Sequence, residues 1–344
     1  MGAIVILEKL YLKNFTAFRN MRIEFSPGIN IIIGDNGAGK THLLKVLYSI
    51  CRAESGKTEF DAAEKWFVNE LALCFGLSDA RQLPSPGELF HSLNDEMIID
   101  LDYRGGRFRF EAEISENGET EFQLSRDEAH GELFSAVYIP SREMLSLAGI
   151  EKLIEERNLP FDVTHTDVLS MTSRAELEYI SGESRRLLGK IADMINGGVV
   201  YQNERYYIER GGRMIDIKLE GEGYKKLAVI WRLIETGALR DGTILFWDEP
   251  ESNVNPRHIA DIVEVIIALG RMGVQIFATS HDYFFSKYLD VKRTEAEVVL
   301  YHAFYRSDGE VKVETETAFD LLDNNDIISE TIRLYDEEIR KVLG

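Results

Sequence analysis

The sequence predicts an α/β fold: a mixed β-sheet, an antiparallel β-meander and a helical insertion. Three observations predict it. Ile31-Ile32-Ile33 is a β-branched run that enters a glycine-rich turn, Gly34 to Gly39, and the apolar positions from Leu43 to Leu47 then open a helix. Ile244-Leu245-Phe246-Trp247 is a second short apolar run and ends on Asp248-Glu249. Val274 to Ala278 is a third and ends on Thr279-Ser280-His281-Asp282. Short apolar runs with polar tips are the buried strands of a sheet covered on both faces.

In chain order, Val5 to Phe15 and Arg22 to Phe25 read as strands, and Ser26-Pro27-Gly28 turns the chain into the Ile31–Ile33 strand. A helix runs from Lys40 to near Arg52. Ala62 to Phe75 is a second helix, with apolar Trp66, Phe67, Leu71 and Leu73, broken by Leu83 to Gly87. Met97 to Tyr103, Arg107 to Ile114 and Thr120 to Leu124 form the meander, punctuated by Gly105-Gly106 and Asn117-Gly118. Ala136 to Ile139 is a short buried strand before Pro140. Residues 143–196 are mostly helical in pattern, without sustained heptads. Val199 to Tyr207 and Met214 to Leu219 return to strand, Leu227 to Ile234 is helical, and Pro256 to Leu269 is a helix between the two later apolar strands. Glu297 to Tyr305 and Glu310 to Thr315 are strands, and Asp326 to Val342 is a terminal helix. The order divides the chain into an N-terminal lobe, 1–140, a helical insertion or arm, 141–212, and a C-terminal lobe, 213–344.

Composition bounds the class. The 344 residues are 44% apolar and 28% charged, ordinary for a soluble globular chain. No apolar run approaches the ~20 residues that a bilayer span needs. Met1 to Leu10 lacks a basic segment and carries Glu8, so no secretory signal is expected. Cys51 and Cys74 offer no disulfide framework and read as core thiols, which fits a cytoplasmic protein. A net charge of −20 disfavours a whole-surface grip on nucleic acid, though a local basic groove stays open. Arg104, Arg107 and Arg109, then Arg185, Arg186 and Lys190, then Lys225 and Lys226 are the local clusters, each read first as a solvated face or a strand-edge gatekeeper.

The chemistry lies at the polar tips. Gly34-Asp35-Asn36-Gly37-Ala38-Gly39-Lys40-Thr41 fits G-x-x-x-x-G-K-[ST] between a strand and a helix, the context of a phosphate-binding loop. Glycines let backbone N–H groups turn toward phosphate, and the helix N-terminus adds positive dipole. Lys40 reaches the β/γ-phosphates and Thr41 offers its hydroxyl to Mg²⁺, which makes a nucleoside triphosphate with Mg²⁺ the expected ligand. Asp248, delivered by its strand to the same sheet edge, is placed to hold Mg²⁺ directly or through water. Glu249 is placed to polarise a water in line with the γ-phosphate, and His281, one strand further, to sense that phosphate.

These stretches resemble the Walker A, Walker B and His-switch elements of ABC-class ATPases. The opening, Lys13-Asn14-Phe15-Thr16-Ala17-Phe18, Ile23-Glu24-Phe25 and Gly28-Ile29-Asn30, is more similar to the SMC/RecF/OLD branch than to the transporter branch. The resemblance covers residues 5–50 and 215–285 and only weakly the middle, 55–200. It implies that a signature helix of one copy caps the γ-phosphate of another. Leu219 to Leu227 is the matching stretch, with Gly223 at the family glycine and Gly221 where the family has serine. The family glutamine is also absent; Tyr138 to Glu143 stands there, leaving Ser141 or Glu143 to contact metal or water. Asn255, in the region resembling the D-loop, equally suits a plain helix cap before Pro256. Phe18 either stacks near the base or packs in the core. The resemblance therefore assigns Asn36, Gly37, Ala38, Gly39, Lys40, Thr41, His42, Phe18, Gly221 and Gly223 to the nucleotide, Thr41 and Asp248 to the metal, and Glu249, His281 and Lys40 to catalysis.

The function implied is an ATP-hydrolysing switch in genome maintenance or antiviral defence. Two copies close head to head over two ATP molecules and pass the change to DNA or to an effector protein. Between Pro140 and Gly221 there is no room for long coiled-coil arms, and too little sequence follows His281 for a toprim nuclease. A nuclease or toxin acting in trans is the expected partner, with nucleic acid a possible second and no membrane. The alternatives are a transporter nucleotide-binding subunit and an ATP-sensing module with slow or no turnover.

Overall fold

The computed structural model describes residues 4–55, 63–77, 96–114, 120–127, 134–149 and 161–343. The chain opens with β1 (Leu7–Phe15), β2 (Phe18–Glu24) and β3 (Ile29–Gly34), then α1 (Lys40–Ser55) and α2 (Ala63–Phe75). β4 (Met97–Tyr103), β5 (Gly106–Ile114), β6 (Thr120–Arg126) and β7 (Ala136–Ile139) precede α3 (Val163–Thr172) and α4 (Gly182–Ile195). β8 (Gly198–Gln202), β9 (Arg205–Arg210) and β10 (Arg213–Asp216) lead into α5 (Glu222–Glu235). β11 (Ile244–Trp247), α6 (Pro256–Arg271), β12 (Gln275–Ser280), α7 (Tyr283–Lys292), β13 (Val299–Ser307), β14 (Glu310–Glu316) and α8 (Asp326–Leu343) complete it.

The central sheet has six strands in the order β14-β13-β3-β12-β11-β7. Its inner strands are parallel, and β14 adds an antiparallel edge, so the sheet is mixed. A five-stranded antiparallel sheet, β2-β1-β4-β5-β6, contains the meander, and β10-β9-β8 is a small separate sheet. Side-chain alternation explains why the central strands are apolar throughout. Leu245 and Trp247 enter one core, with α4, α5 and α6; Ile244 and Phe246 enter the other, with α1, α2 and the antiparallel sheet. β3 divides likewise, with Ile29, Ile31 and Ile33 on one side and Ile32 on the other. Gln275 ties the sheets together: its Oε1 accepts from the Leu7 N–H at 2.9 Å, and its Nε2 donates to the carbonyls of Leu7 and Ser26 at 2.9 Å each. Cys51 and Cys74 are buried core thiols, as expected.

The structure departs from the sequence reading in several places. The stretch read as one strand, Val199 to Tyr207, is a hairpin turning on Asn203 and Glu204, both at positive φ (52° and 57°). The strand read from Met214 to Leu219 stops at Asp216, whose side chain accepts from the Lys218 N–H and starts a 3₁₀ turn. The helical reading of 143–196 resolves into α3 and α4, with 173–181 outside both and 150–160 outside the described residues. α7 was not expected; Asp282, read only as part of a polar tip, caps it by accepting from the Phe285 N–H at 2.7 Å. The break at Leu83–Gly87 and the turn at Asn117-Gly118 also lie outside the described residues.

Candidate nucleotide site

The site lies where the parallel strands end. β3 delivers the glycine-rich loop, β11 delivers Asp248 and Glu249, and β12, between them, delivers Thr279 to His281. Loop geometry depends on glycine at two places. Gly34 has φ +141°, and a Cβ there would stand 2.3 Å from the Phe304 carbonyl oxygen; Gly39 has φ +90°, and a Cβ would stand 2.6 Å from Phe18 Cζ. Gly39→Ala should weaken ATP binding by about tenfold or more and cost ~1–3 kcal/mol of stability. Titration with a fluorescent ATP analogue, alongside a thermal melt, checks both.

Lys40 is 6% exposed. Its Nζ donates to the carbonyls of Gly34 at 2.7 Å and Asp35 at 3.0 Å, so the ammonium lies folded into its own loop. Burial lowers its pKa, opposed by the carboxylates of Glu249 and Asp248. Thr41 Oγ1 donates toward both carboxylate oxygens of Asp248, at 3.2 and 3.1 Å. Thr279 Oγ1 donates to Asp248 Oδ1 at 2.6 Å and accepts the Glu249 N–H at 2.9 Å. Burial pushes the Asp248 carboxyl up, with the Thr279 hydrogen bond opposing it. A divalent cation would supply the charge this pocket lacks, and one hydroxyl beside one acidic oxygen pair is the donor set Mg²⁺ takes. Glu249 sits at φ +47°, and its Oε1 is 3.3 Å from Nδ1 of His281.

The structure thus brings Lys40, Thr41, Asp248, Glu249 and His281 to one sheet edge. Asn36 and Gly37 are exposed on the loop and Ala38 is buried beneath it. The half-buried His42 ring packs on Phe75, 5.4 Å between centroids. Phe18 corrects one expectation. It is 1% exposed, edge-on to Phe304 and directly under Gly39, so it floors the loop and has no face for a base. Gly221 and Gly223 begin α5, whose N-terminus no side chain caps, and reach the cluster at one remove through Lys226. Asn255 caps α6, accepting from the Arg257 N–H at 3.0 Å. Glu143 turns to the Ser146 N–H, and Ser141 offers its carbonyl to Ser252.

Sequence reasoning missed several members. Lys226 is 3% exposed, against its reading as a solvated cation, and its Nζ donates to the Glu249 carbonyl at 2.8 Å and to Ser252 Oγ at 2.9 Å. Burial lowers its pKa to about 8. Its i, i+4 spacing from Ile230 within an apolar helix face was the available signal. Arg306, beyond the strand pairing with β3, donates to the Gly37 carbonyl at 3.0 Å. By contrast Arg107 and Arg109, read as a solvated face or a strand-edge gatekeeper, lie on the inner strand β5 and both pair with Asp100.

A glycine-lined loop with its lysine folded inward, a threonine against an acidic strand tip and a histidine beside the next carboxylate define a P-loop nucleotide-binding protein. Residues 9–176 match the family model of an AAA domain, and residues 139–286 match one whose description reads "AAA domain, putative AbiEii toxin, Type IV TA system". A stretch of 70 residues is 40% identical to the DNA replication and repair protein RecF of Ligilactobacillus salivarius, covering 20% of this chain and 18% of that protein. RecF of Staphylococcus haemolyticus is 33% identical over 84 residues, 24% of this chain and 23% of its own. These matches span under a quarter of the relatives' length. A solved SMC head bound to the C-winged helix domain of ScpA is similar in fold, with TM-score 0.57 and 14% identity, covering 92% of this chain and 98% of that one. The Smc head with an extended coiled coil, bound to the C-terminal domain of ScpA, from Pyrococcus furiosus gives 0.55 and 14%, covering 98% and 100%. Together these matches support an ABC-class P-loop ATPase of the SMC/RecF type.

Proposed function

We propose that this protein hydrolyses ATP with Mg²⁺ and works as a two-state switch, closing as a head-to-head dimer on ATP and reopening on hydrolysis. The observation that carries the reading is the meeting of Thr41, in the first turn of α1, with Asp248, at the tip of β11 and far away in sequence, beside Lys40 and Glu249. Loop amides and Lys40 grip the triphosphate once Lys40 leaves the Gly34 and Asp35 carbonyls. Thr41 and Asp248 would hold Mg²⁺, which neutralises phosphate charge when bound. Glu249 orients the attacking water and takes its proton, and His281 contacts the γ-phosphate.

The uncapped N-terminus of α5, with Gly221 and Gly223, is suited to meet the γ-phosphate held by a second copy. That contact makes closure depend on the triphosphate. The insertion, 141–212, whose described residues form α3, α4, β8 and β9, is the arm that passes closure on. The similar SMC heads are bound to ScpA domains, which supports a protein partner in trans, an effector such as a nuclease or toxin. RecF likeness supports a DNA-linked role in the cytoplasm. No helix among the described residues is long and apolar enough to cross a membrane.

Phosphate release tests the reading. Turnover is expected with ATP and Mg²⁺ and is expected to vanish in EDTA, and a non-hydrolysable ATP analogue should double the apparent mass on sizing. Absent turnover, or turnover indifferent to EDTA, overturns hydrolysis; an unchanged mass overturns the dimer.

A further inference from the structure

Glu251 stands three residues beyond Asp248 and is 5% exposed. Its Oε1 accepts from Ser280 Oγ at 2.7 Å and from the His281 backbone N–H at 3.2 Å. Its Oε2 is buried and has no hydrogen-bond partner among the described residues. The nearby buried cation, Lys226, is instead spent on the Glu249 carbonyl and Ser252. Burial raises the Glu251 carboxyl to about 7, which fits a group valued as an acceptor and not as a charge.

We infer that Glu251 is a positioning residue for His281: its buried carboxyl pins the turn from which the imidazole reaches Glu249. The inference rests on hydrolysis at the Asp248–Glu249 tip. Three brackets then fix the pair at the level of the main chain. Lys226 holds the carbonyl of Glu249, Thr279 holds its N–H, and Glu251 holds the N–H of His281. β11 and β12 are already paired up to Trp247 and Ala278; Glu251 extends the tie beyond the last ladder bond, where the strands diverge into polar tips. Removing it leaves the Ser280 hydroxyl and the His281 N–H without their acceptor in a buried place. A misplacement of about 1 Å at a reacting group costs up to ~100-fold in rate.

The test is steady-state ATP turnover of the full chain. Glu251→Ala should lower kcat by about tenfold or more with KM for ATP within ~2-fold, since the loop that binds ATP is untouched. Glu251→Gln, which keeps an acceptor oxygen, should recover most of the loss. In a His281→Ala background, Glu251→Ala should add under ~2-fold, because its effect runs through His281. Wild-type kcat in Glu251→Ala, failed recovery by glutamine, or full additivity with His281→Ala would each overturn the role. Should Glu251→Ala fail to fold, Ser280→Ala carries the test, with a loss of roughly 3-fold that disappears in the His281→Ala background. Glu249→Gln separates the failures: if it is inactive while Glu251→Ala is normal, only the role of Glu251 falls; if Glu249→Gln turns over like the wild type, the hydrolytic reading itself falls.

Discussion

Glu249→Gln lowers ATP turnover by roughly two to four decades while ATP binding survives, the range expected for loss of a general base. The substitution is isosteric, so what changes is proton affinity. The Glu249 backbone is in the left-handed region, a conformation that costs a non-glycine residue about 1–3 kcal/mol. It is kept there by Lys226 on its carbonyl and Thr279 on its N–H, both bonds to the main chain. Glutamine therefore occupies the same position, 3.3 Å from His281 in the parent, with an oxygen that cannot take a proton. Binding persists because Lys40 and Thr41 are untouched. The variant should accumulate an ATP-bound dimer, visible as a doubled mass on sizing. Turnover within about threefold of the wild type would remove Glu249 from the chemistry.

Lys40→Ala abolishes ATP binding, with Kd rising by about 100-fold or more, equivalent to ~2.7 kcal/mol. The ammonium is buried and within reach of both acidic residues of the β11 tip. Without it, a triphosphate would face Asp248 and Glu249 with no neighbouring cation on the loop itself. The empty protein tolerates the change better, because the Gly34 and Asp35 carbonyls released from Nζ lie at the mouth of the site, beside exposed Asp35 and Asn36. Calorimetric titration with ATP, paired with a thermal melt of the nucleotide-free protein, distinguishes lost binding from lost folding. Unaltered affinity would refute the assignment of the loop.

Much of this architecture is legible in the sequence because the central strands are short, wholly apolar and end in polar residues. Ile31–Ile33, Ile244–Trp247 and Val274–Ala278 all become neighbouring strands, and Thr41 and Asp248 do meet. What escapes has identifiable causes. Asn203-Glu204 turns a hairpin without glycine, so the strand pattern runs on through it. Asp282 is both the end of a polar tip and a helix cap, and only the second role reveals α7. Lys226 has the composition of a surface residue and the position of a core one; burial is decided by α5 lying against the β11 tip, a tertiary fact. Phe18 was open between base and core, and Gly39 settles it, since the loop passes directly over the ring.

Gln275 sits at the root of the strand whose far end leads into His281, six residues on and roughly 20 Å away along the strand. Its amide grips Leu7 and Ser26, which face each other at the open end of the β1–β2 hairpin. One neutral side chain thus makes the outer antiparallel sheet and the base of β12 a single hydrogen-bonded unit, remote from the nucleotide loop.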